Sequence, residues 1–354
     1  MPQAALRFPR EYIDSSQKNW RPNDASDGTC CSAARFEFGS HLSAGALMPP
    51  IIKPGEPMHT SAQAPRGPRF SDHVTDVGQF RVARWHAPSK SEFPPLLFFT
   101  GIGANAELLA PFLDRLANRD IVTFDMPGIG GSPNPHRPYR LSAMASAANQ
   151  ILSDLKFCEV DVMGVSWGGM FAQEFAYRYP RHVGKLILAA TSAGMPIIPG
   201  NLSTLAKMAS SLRYADPAAM LPYLQSLYGG STRDLDTYAL RMQAPSSKGY
   251  LYQLLAIAGW TSVRKLTQVP TRTLILMGSE DRLLPPSNGR ILKFLLGNAQ
   301  LEILEDAGHL FVLTHADAVV TMIDRFLTTG DSVSRSRSAA DGMIQGDGPV
   351  AGLR

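Results

Sequence analysis

From residue 79 to residue 328, short apolar runs alternate with longer amphipathic stretches. Gln79–His86, Leu96–Thr100, Asp120–Phe124, Glu159–Gly164, Lys185–Ala190, Arg272–Met277 and Gln300–Leu304 have the length and the β-branched or aromatic content of strands. Glu107–Asn118, Leu141–Phe157, Trp167–Tyr179, Ser287–Leu296 and Asp317–Thr328 read as helices. In the second of these, Leu141, Met144, Ala145, Ala148, Ile151, Leu152 and Leu155 recur on one face, as an amphipathic helix requires. Parallel strands need crossover connections, so this alternation predicts a mostly parallel sheet with helices on both faces, with room for antiparallel pairing among the first strands.

Three segments depart from the alternation. Residues 1–69 show neither a period of 2 nor one of 3.6 and are broken by Pro, Gly and Ser, as in MPPIIKPGEP; a flexible arm is expected there. Residues 330–354 have no apolar face and read as a tail. Residues 192–268 are helical in character and carry Tyr214, Tyr223, Tyr228, Tyr238, Tyr250, Tyr252 and Trp260 with Met208, Met220 and Met242. An insertion after a strand of an open α/β sheet lies over the crevice where such sheets bind ligands, so this segment is expected to be a lid. Residues 70–191 and 269–329 are then two parts of one core. Most of the lid's aromatic residues are expected in its own core, and those facing the crevice would favour an apolar acyl chain.

Composition narrows the function classes. The 34 basic and 30 acidic residues leave a formal charge of only +4, without a basic run, so no nucleic-acid partner is expected. Three cysteines, two of them the adjacent Cys30 and Cys31, supply neither a disulfide framework nor a tetrahedral metal site. No secretory signal and no apolar stretch long enough to span a membrane is seen, so a cytoplasmic protein without integral membrane association is expected. Neither Gly101-Ile102-Gly103 nor Gly128-Ile129-Gly130-Gly131 completes a dinucleotide fingerprint, and no metal-ligand motif occurs. No cofactor and no metal are expected.

The sharpest chemical signal is Gly164-Val165-Ser166-Trp167-Gly168, which follows a predicted strand and opens a predicted helix. G-x-S-x-G in that context is the nucleophile elbow of an α/β-hydrolase fold: the turn is so tight that the serine is strained and exposed, and Gly164 and Gly168 leave room for it. A serine hydroxyl needs a base held by an acid. Asp281 and His309 each follow a late predicted strand, giving the chain order Ser, Asp, His; Asp306, three residues before His309, and Glu280 compete for the acid, with Glu280 held as the weaker choice behind Asp281. His41 and His59 lie in the expected arm, His73, His86 and His182 lie outside the late loops, and His315 is near the start of the last helix; His136, after the glycine-rich loop 125–132, is placed to reach the mouth of the site but precedes the nucleophile. Oxyanion donors are expected from the Trp167 amide and from the loop Thr100–Asn105, with Ile102 first and Gly103 next.

From about Phe70 to Leu327 the chain resembles the intracellular depolymerases of medium-chain-length polyhydroxyalkanoates, serine esterases of the α/β-hydrolase superfamily. The matching stretches are GIGANAELLAPF, FDMPGIGGSPNPHRPYRL, GVSWGGMFAQEFAYRYP, LAATSAGMPIIPG, LYGG, YLYQLLAIAGWTS and DAGHLF. Several of them fall in the lid, where the superfamily diverges most. The resemblance implies a lidded α/β-hydrolase fold and hydrolysis of a poly(3-hydroxyalkanoate) to 3-hydroxy acids or oligomers. It implies work at the surface of cytoplasmic granules, with Ser166, Asp281 and His309 as the triad. Arg282 stands where the family often has proline, and Thr100-Gly101 where many hydrolases have His-Gly. A 3-hydroxyacyl transferase, a general carboxylesterase or lipase, and a non-catalytic granule-binding protein are the alternatives.

Overall fold

The computed structural model describes residues 67–116, 118–201 and 241–329. Residues 1–66 of the expected arm, 202–240 of the expected lid and the expected tail lie outside the described residues.

Eight strands form one sheet: β1 (Arg69–Thr75), β2 (Gly78–Trp85), β3 (Leu96–Phe99), β4 (Ile121–Phe124), β5 (Val160–Val165), β6 (Val183–Ala189), β7 (Arg272–Gly278) and β8 (Ala299–Leu304). Their order is β1-β2-β4-β3-β5-β6-β7-β8. β2 pairs antiparallel with both β1 and β4, and every other pair is parallel. The helices are α1 (Ala106–Leu113), α2 (Leu141–Asp154), α3 (Trp167–Arg178), α4 (Ser247–Ile257), α5 (Val263–Leu266), α6 (Ser287–Leu295), α7 (Phe311–Thr314) and α8 (Ala316–Thr328).

The two faces of the sheet explain why its central strands read as unbroken apolar runs. In β3 all four residues are buried, but Leu97 and Phe99 join the core beneath α2 and α3, while Leu96 and Phe98 join the core beneath α1 and α8. Side chains alternate across a strand, so a strand covered on both sides needs apolar residues at every position. On the first face Phe99 stacks on Phe171 with ring centroids 4.0 Å apart, seating α3 on β3.

The largest differences from the sequence-based expectation are at β1 and α1. β1 begins at Arg69, and its sequence RFSDHVT has no alternating apolar face: Phe70 and Val74 are exposed. Pairing with β2 through a tight turn at Gly78, whose φ is +142°, builds this edge strand, so hydrophobic periodicity carries no sign of it. α1 stops at Leu113, short of the predicted Asn118. Pro111 removes a backbone donor inside it, and the chain continues in tighter turns, with Arg115 N–H donating to the Phe112 carbonyl and Leu116 N–H to that of Leu113.

A buried ion pair locks the ends of the central strands. Arg119 donates to Asp161 at 2.7 Å, with side chains 1% and 3% exposed. Burial pushes the Asp161 carboxyl up to about 6, although Arg119 and Lys185 beside it pull the other way. At pH 7 the pair is still mostly ionised. Replacing Asp161 with alanine leaves a buried guanidinium without its counter-ion, and the expected cost is about 3–5 kcal/mol of unfolding free energy. Urea unfolding at pH 7 measures it; a loss under about 1 kcal/mol would show that water or another group takes the carboxylate's place.

Candidate active site

β5 runs into α3 with Ser166 as the only residue between them. Ser166 has φ 56° and ψ −117°, a conformation that non-glycine residues rarely adopt and that the surroundings must hold in place. Its amide donates to the Ala189 carbonyl of β6 at 2.8 Å, and its own carbonyl accepts from Gly169 N–H and from the Thr191 hydroxyl. The glycines at either side are sterically required. A Cβ on Gly164 would come within 2.2 Å of the Gly168 carbonyl oxygen, and one on Gly168 within 2.2 Å of the Phe99 carbonyl oxygen.

Loops after β7 and β8 bring the other two residues to this serine. His309 Nε2 lies 2.9 Å from Ser166 Oγ, and His309 Nδ1 lies 2.7 Å from Asp281 Oδ2. The Asp281 side chain is fully buried, and its other oxygen accepts from the Leu283 and Leu284 amides at 2.8 Å each. One carboxylate oxygen is thereby fixed by the backbone and the second is presented to the imidazole. Gly278 permits the close meeting of the two loops, since a Cβ there would lie 2.3 Å from the Ala307 carbonyl oxygen. Arg282 does not disturb this arrangement: its side chain is exposed, and its carbonyl accepts from Asn201 N–H.

The rival residues lie elsewhere. Glu280 and Asp306 are exposed, while Asp281 meets the imidazole. His136 is exposed, His73 contacts Ser71 and Asp154, and His315 contacts Thr314. Among the described residues no group of three or more His, Cys, Asp and Glu is arranged to hold a metal ion.

Ile102 lies in the loop between β3 and α1, which runs beside the serine: a Cβ on Gly101 would sit 3.9 Å from Ser166 Cβ. The loop closes on itself through the Thr100 hydroxyl, which donates to the Ala104 carbonyl at 3.1 Å. Gly103 is engaged elsewhere, because its amide donates to Gln253 Oε1 at 2.9 Å. Trp167 is the first residue of α3, so the helix offers its amide no internal acceptor, and the positive end of the helix dipole faces the serine.

The returning limb of the expected lid packs onto this machinery. Glu174 of α3 is buried and accepts from Arg178, Lys265 and the Trp260 indole, which together hold its carboxyl below the usual range against the effect of burial. Of the aromatic and methionine residues in the expected lid, Met195, Met242, Tyr250, Tyr252 and Trp260 are described; Met195 is exposed, and the other four pack against the core beneath α2 and α3. Tyr214, Tyr223, Tyr228, Tyr238, Met208 and Met220 lie outside the described residues. Two residues with structural roles around the serine, Gln253 and Asn105, carry no motif. A single glutamine inside the apolar run YLYQLLAI is the signal that could have singled out the first.

Residues 94–316 match the model of the α/β hydrolase fold family. The chain belongs to this family and is a carboxylic ester hydrolase. It is 42% identical over 245 residues to a poly(3-hydroxyalkanoate) depolymerase of Ectopseudomonas oleovorans, covering 68% of this chain and 86% of that protein, and within the fold it belongs with the poly(3-hydroxyalkanoate) depolymerase family. Similarity to a 2-hydroxymuconate semialdehyde hydrolase of Pseudomonas putida is lower, 28% over 231 residues, covering 61% of this chain and 79% of that protein. Among solved structures, the enol-lactonase from Burkholderia xenovorans LB400 superposes with a TM-score of 0.63 at 19% identity, covering 73% of this chain and all of that one, a likeness of fold. No helix among the described residues is long and apolar enough to cross a membrane.

Proposed function

We propose that Ser166, His309 and Asp281 hydrolyse the ester bonds of a poly(3-hydroxyalkanoate) with medium-length side chains through an acyl-enzyme. The observation that carries this reading is the unbroken relay from Ser166 Oγ through His309 to Asp281, at 2.9 and 2.7 Å. His309 Nε2 takes the serine proton as Oγ attacks the ester carbonyl, and the Asp281 carboxylate stabilises the imidazolium that forms. The Trp167 and Ile102 amides receive the charge developing on the carbonyl oxygen. The tetrahedral intermediate collapses, and the imidazolium returns its proton to the departing alkoxide of the next 3-hydroxyacyl unit. Water, deprotonated by the same imidazole, then attacks the acyl-serine and releases a 3-hydroxy acid or oligomer.

The substrate class is supported by the identity to the Ectopseudomonas oleovorans depolymerase. The side-chain length is supported by the tyrosine and methionine content of residues 192–268, since each buried methylene of substrate contributes about 0.8 kcal/mol. The enzyme works in the cytoplasm at the granule surface, where such a polymer is exposed to water.

Granules of polyesters with long and with short side chains, incubated with purified protein, test the reading. Release of 3-hydroxy acids from the long side-chain polymer is the expected result. Release from the short kind alone sinks the chain-length preference. No release from either, with p-nitrophenyl octanoate still cleaved, points to a general carboxylesterase. Acyl transfer to coenzyme A without hydrolysis points to a transferase, and failure of a fluorophosphonate probe to label folded protein points to a binding role.

A further inference from the structure

Gln253 of α4 is fully buried, yet it bonds both to the β3–α1 loop and to the first residue of α3. Its side-chain Oε1 accepts from the Gly103 amide at 2.9 Å, next in the chain to Ile102. Its backbone carbonyl accepts from the indole Nε1 of Trp167, also at 2.9 Å. A second residue anchors the same loop to the same limb: Asn105 Nδ2 donates to the Arg241 carbonyl at 3.1 Å, and Asn105 Oδ1 accepts from Gln243 N–H at 3.2 Å. The β3–α1 loop is thus suspended from residues 241–253 of the expected lid at two points.

The amide of Gln253 is satisfied at one end only. Its Nε2 is buried without a hydrogen-bond partner, while its Oε1 holds the loop. A buried polar side chain that served packing alone would be replaced at little cost by an apolar one of similar shape, whereas an unpaired buried donor is unfavourable. What the glutamine adds in return is a fixed acceptor for Gly103, and with it a fixed direction for the peptide that precedes Gly103.

On the reading that Ser166 is the nucleophile, we infer that Gln253 is a positioning residue of the esterase reaction. It fixes the separation of the Ile102 and Trp167 amides, so the limb that returns from the lid sets the geometry of the oxyanion pocket. Transition-state stabilisation depends on donors placed at the oxyanion position, and a misplacement of about 1 Å costs on the order of a hundredfold in rate. Uniform binding of the acyl chain does not depend on this spacing, so the effect belongs in kcat and leaves KM nearly unchanged.

Gln253→Leu and Gln253→Glu in the full-length protein, assayed on p-nitrophenyl octanoate, test the inference. For the leucine variant kcat is expected to fall about 10- to 100-fold with KM within about threefold of the original, and the affinity for an alkylboronic acid, which mimics the tetrahedral species, is expected to fall in step. Wild-type kcat in folded protein overturns it. In the glutamate variant a buried negative charge lies against the Gly103 amide, next in the chain to Ile102, where it opposes the charge developing on the oxyanion, and burial raises its pKa. Its kcat relative to wild type is therefore expected to rise as pH is lowered from about 9 to about 6, as the carboxyl becomes neutral and still accepts from Gly103. A ratio that stays flat over that range is the signature of mere structural damage and sinks the inference, including where the leucine variant fails to fold. Ser166→Ala in the same assay separates the two readings. Retained activity there removes the nucleophile assignment, whereas abolished activity together with an unaffected Gln253→Leu removes only the role of Gln253.

Discussion

Ser166→Ala is expected to lower kcat on p-nitrophenyl octanoate by about a million-fold, the scale seen when a triad serine is removed from a hydrolase that works through an acyl-enzyme. The size follows from the chemistry. Without Oγ no covalent intermediate forms, and what remains is the oxyanion pocket acting on water, which is worth only a small part of the total. Alanine is no larger than serine, and the backbone bonds from Ser166 N–H to Ala189 and from Gly169 N–H to the Ser166 carbonyl do not involve the side chain. The melting temperature should therefore move little, and steady-state kinetics on the folded variant read the loss directly. Activity above about a hundredth of the original would remove Ser166 from the mechanism, because contamination with wild-type enzyme at that level is readily excluded.

The second large effect is expected from Asp281→Asn, about ten-thousand-fold in kcat. Asp281 Oδ1 is fixed by the Leu283 and Leu284 amides, so the carbonyl oxygen of an asparagine has to stay on that side to satisfy them. Its NH2 group then faces His309 Nδ1, which must become an acceptor. The ring proton moves to Nε2, the atom that lies 2.9 Å from Ser166 Oγ, and the imidazole cannot take the serine proton. The variant should fold normally and bind substrate normally while turning it over slowly. A loss below about tenfold would mean that another carboxylate, with Glu280 the nearest in the chain, orients the ring.

The residues of this relay were legible because each sits where a strand ends, and strand ends are marked by the change from apolar runs to Gly, Ser and Asp. The serine carried the most information: the same two glycines that identify the motif are those whose Cβ atoms would strike the backbone of α3 or β3. The parallel core was legible for a related reason, since strands buried on both faces show as continuous apolar segments. β1 was not, because an edge strand with polar residues on both faces is held by pairing rather than by burial. The early end of α1 has one local sign, Pro111, set against an apolar pattern that runs on past it. Gln253 and Asn105 were not legible as a pair, since they act through hydrogen bonds between segments whose partners lie 150 and 136 residues away. Of the two candidates in the β3–α1 loop, Gly103 is set apart by its bond to Gln253, a distinction no local pattern contains.

His309 stands 143 residues after Ser166 and 28 after Asp281, and β5, β6, β7 and β8 lie side by side in that sequence. On the roles proposed for Ser166 and His309, the nucleophile therefore emerges well before its base during synthesis. A nascent chain holding the elbow alone has a serine of ordinary reactivity, because nothing removes its proton. Parallel pairing across crossovers is a non-local event, and here the last such pairing, β7 with β8, is also the one that delivers the imidazole. The order of residues along the chain acts as a safety catch: hydrolytic power is switched on only when the final strand is in place.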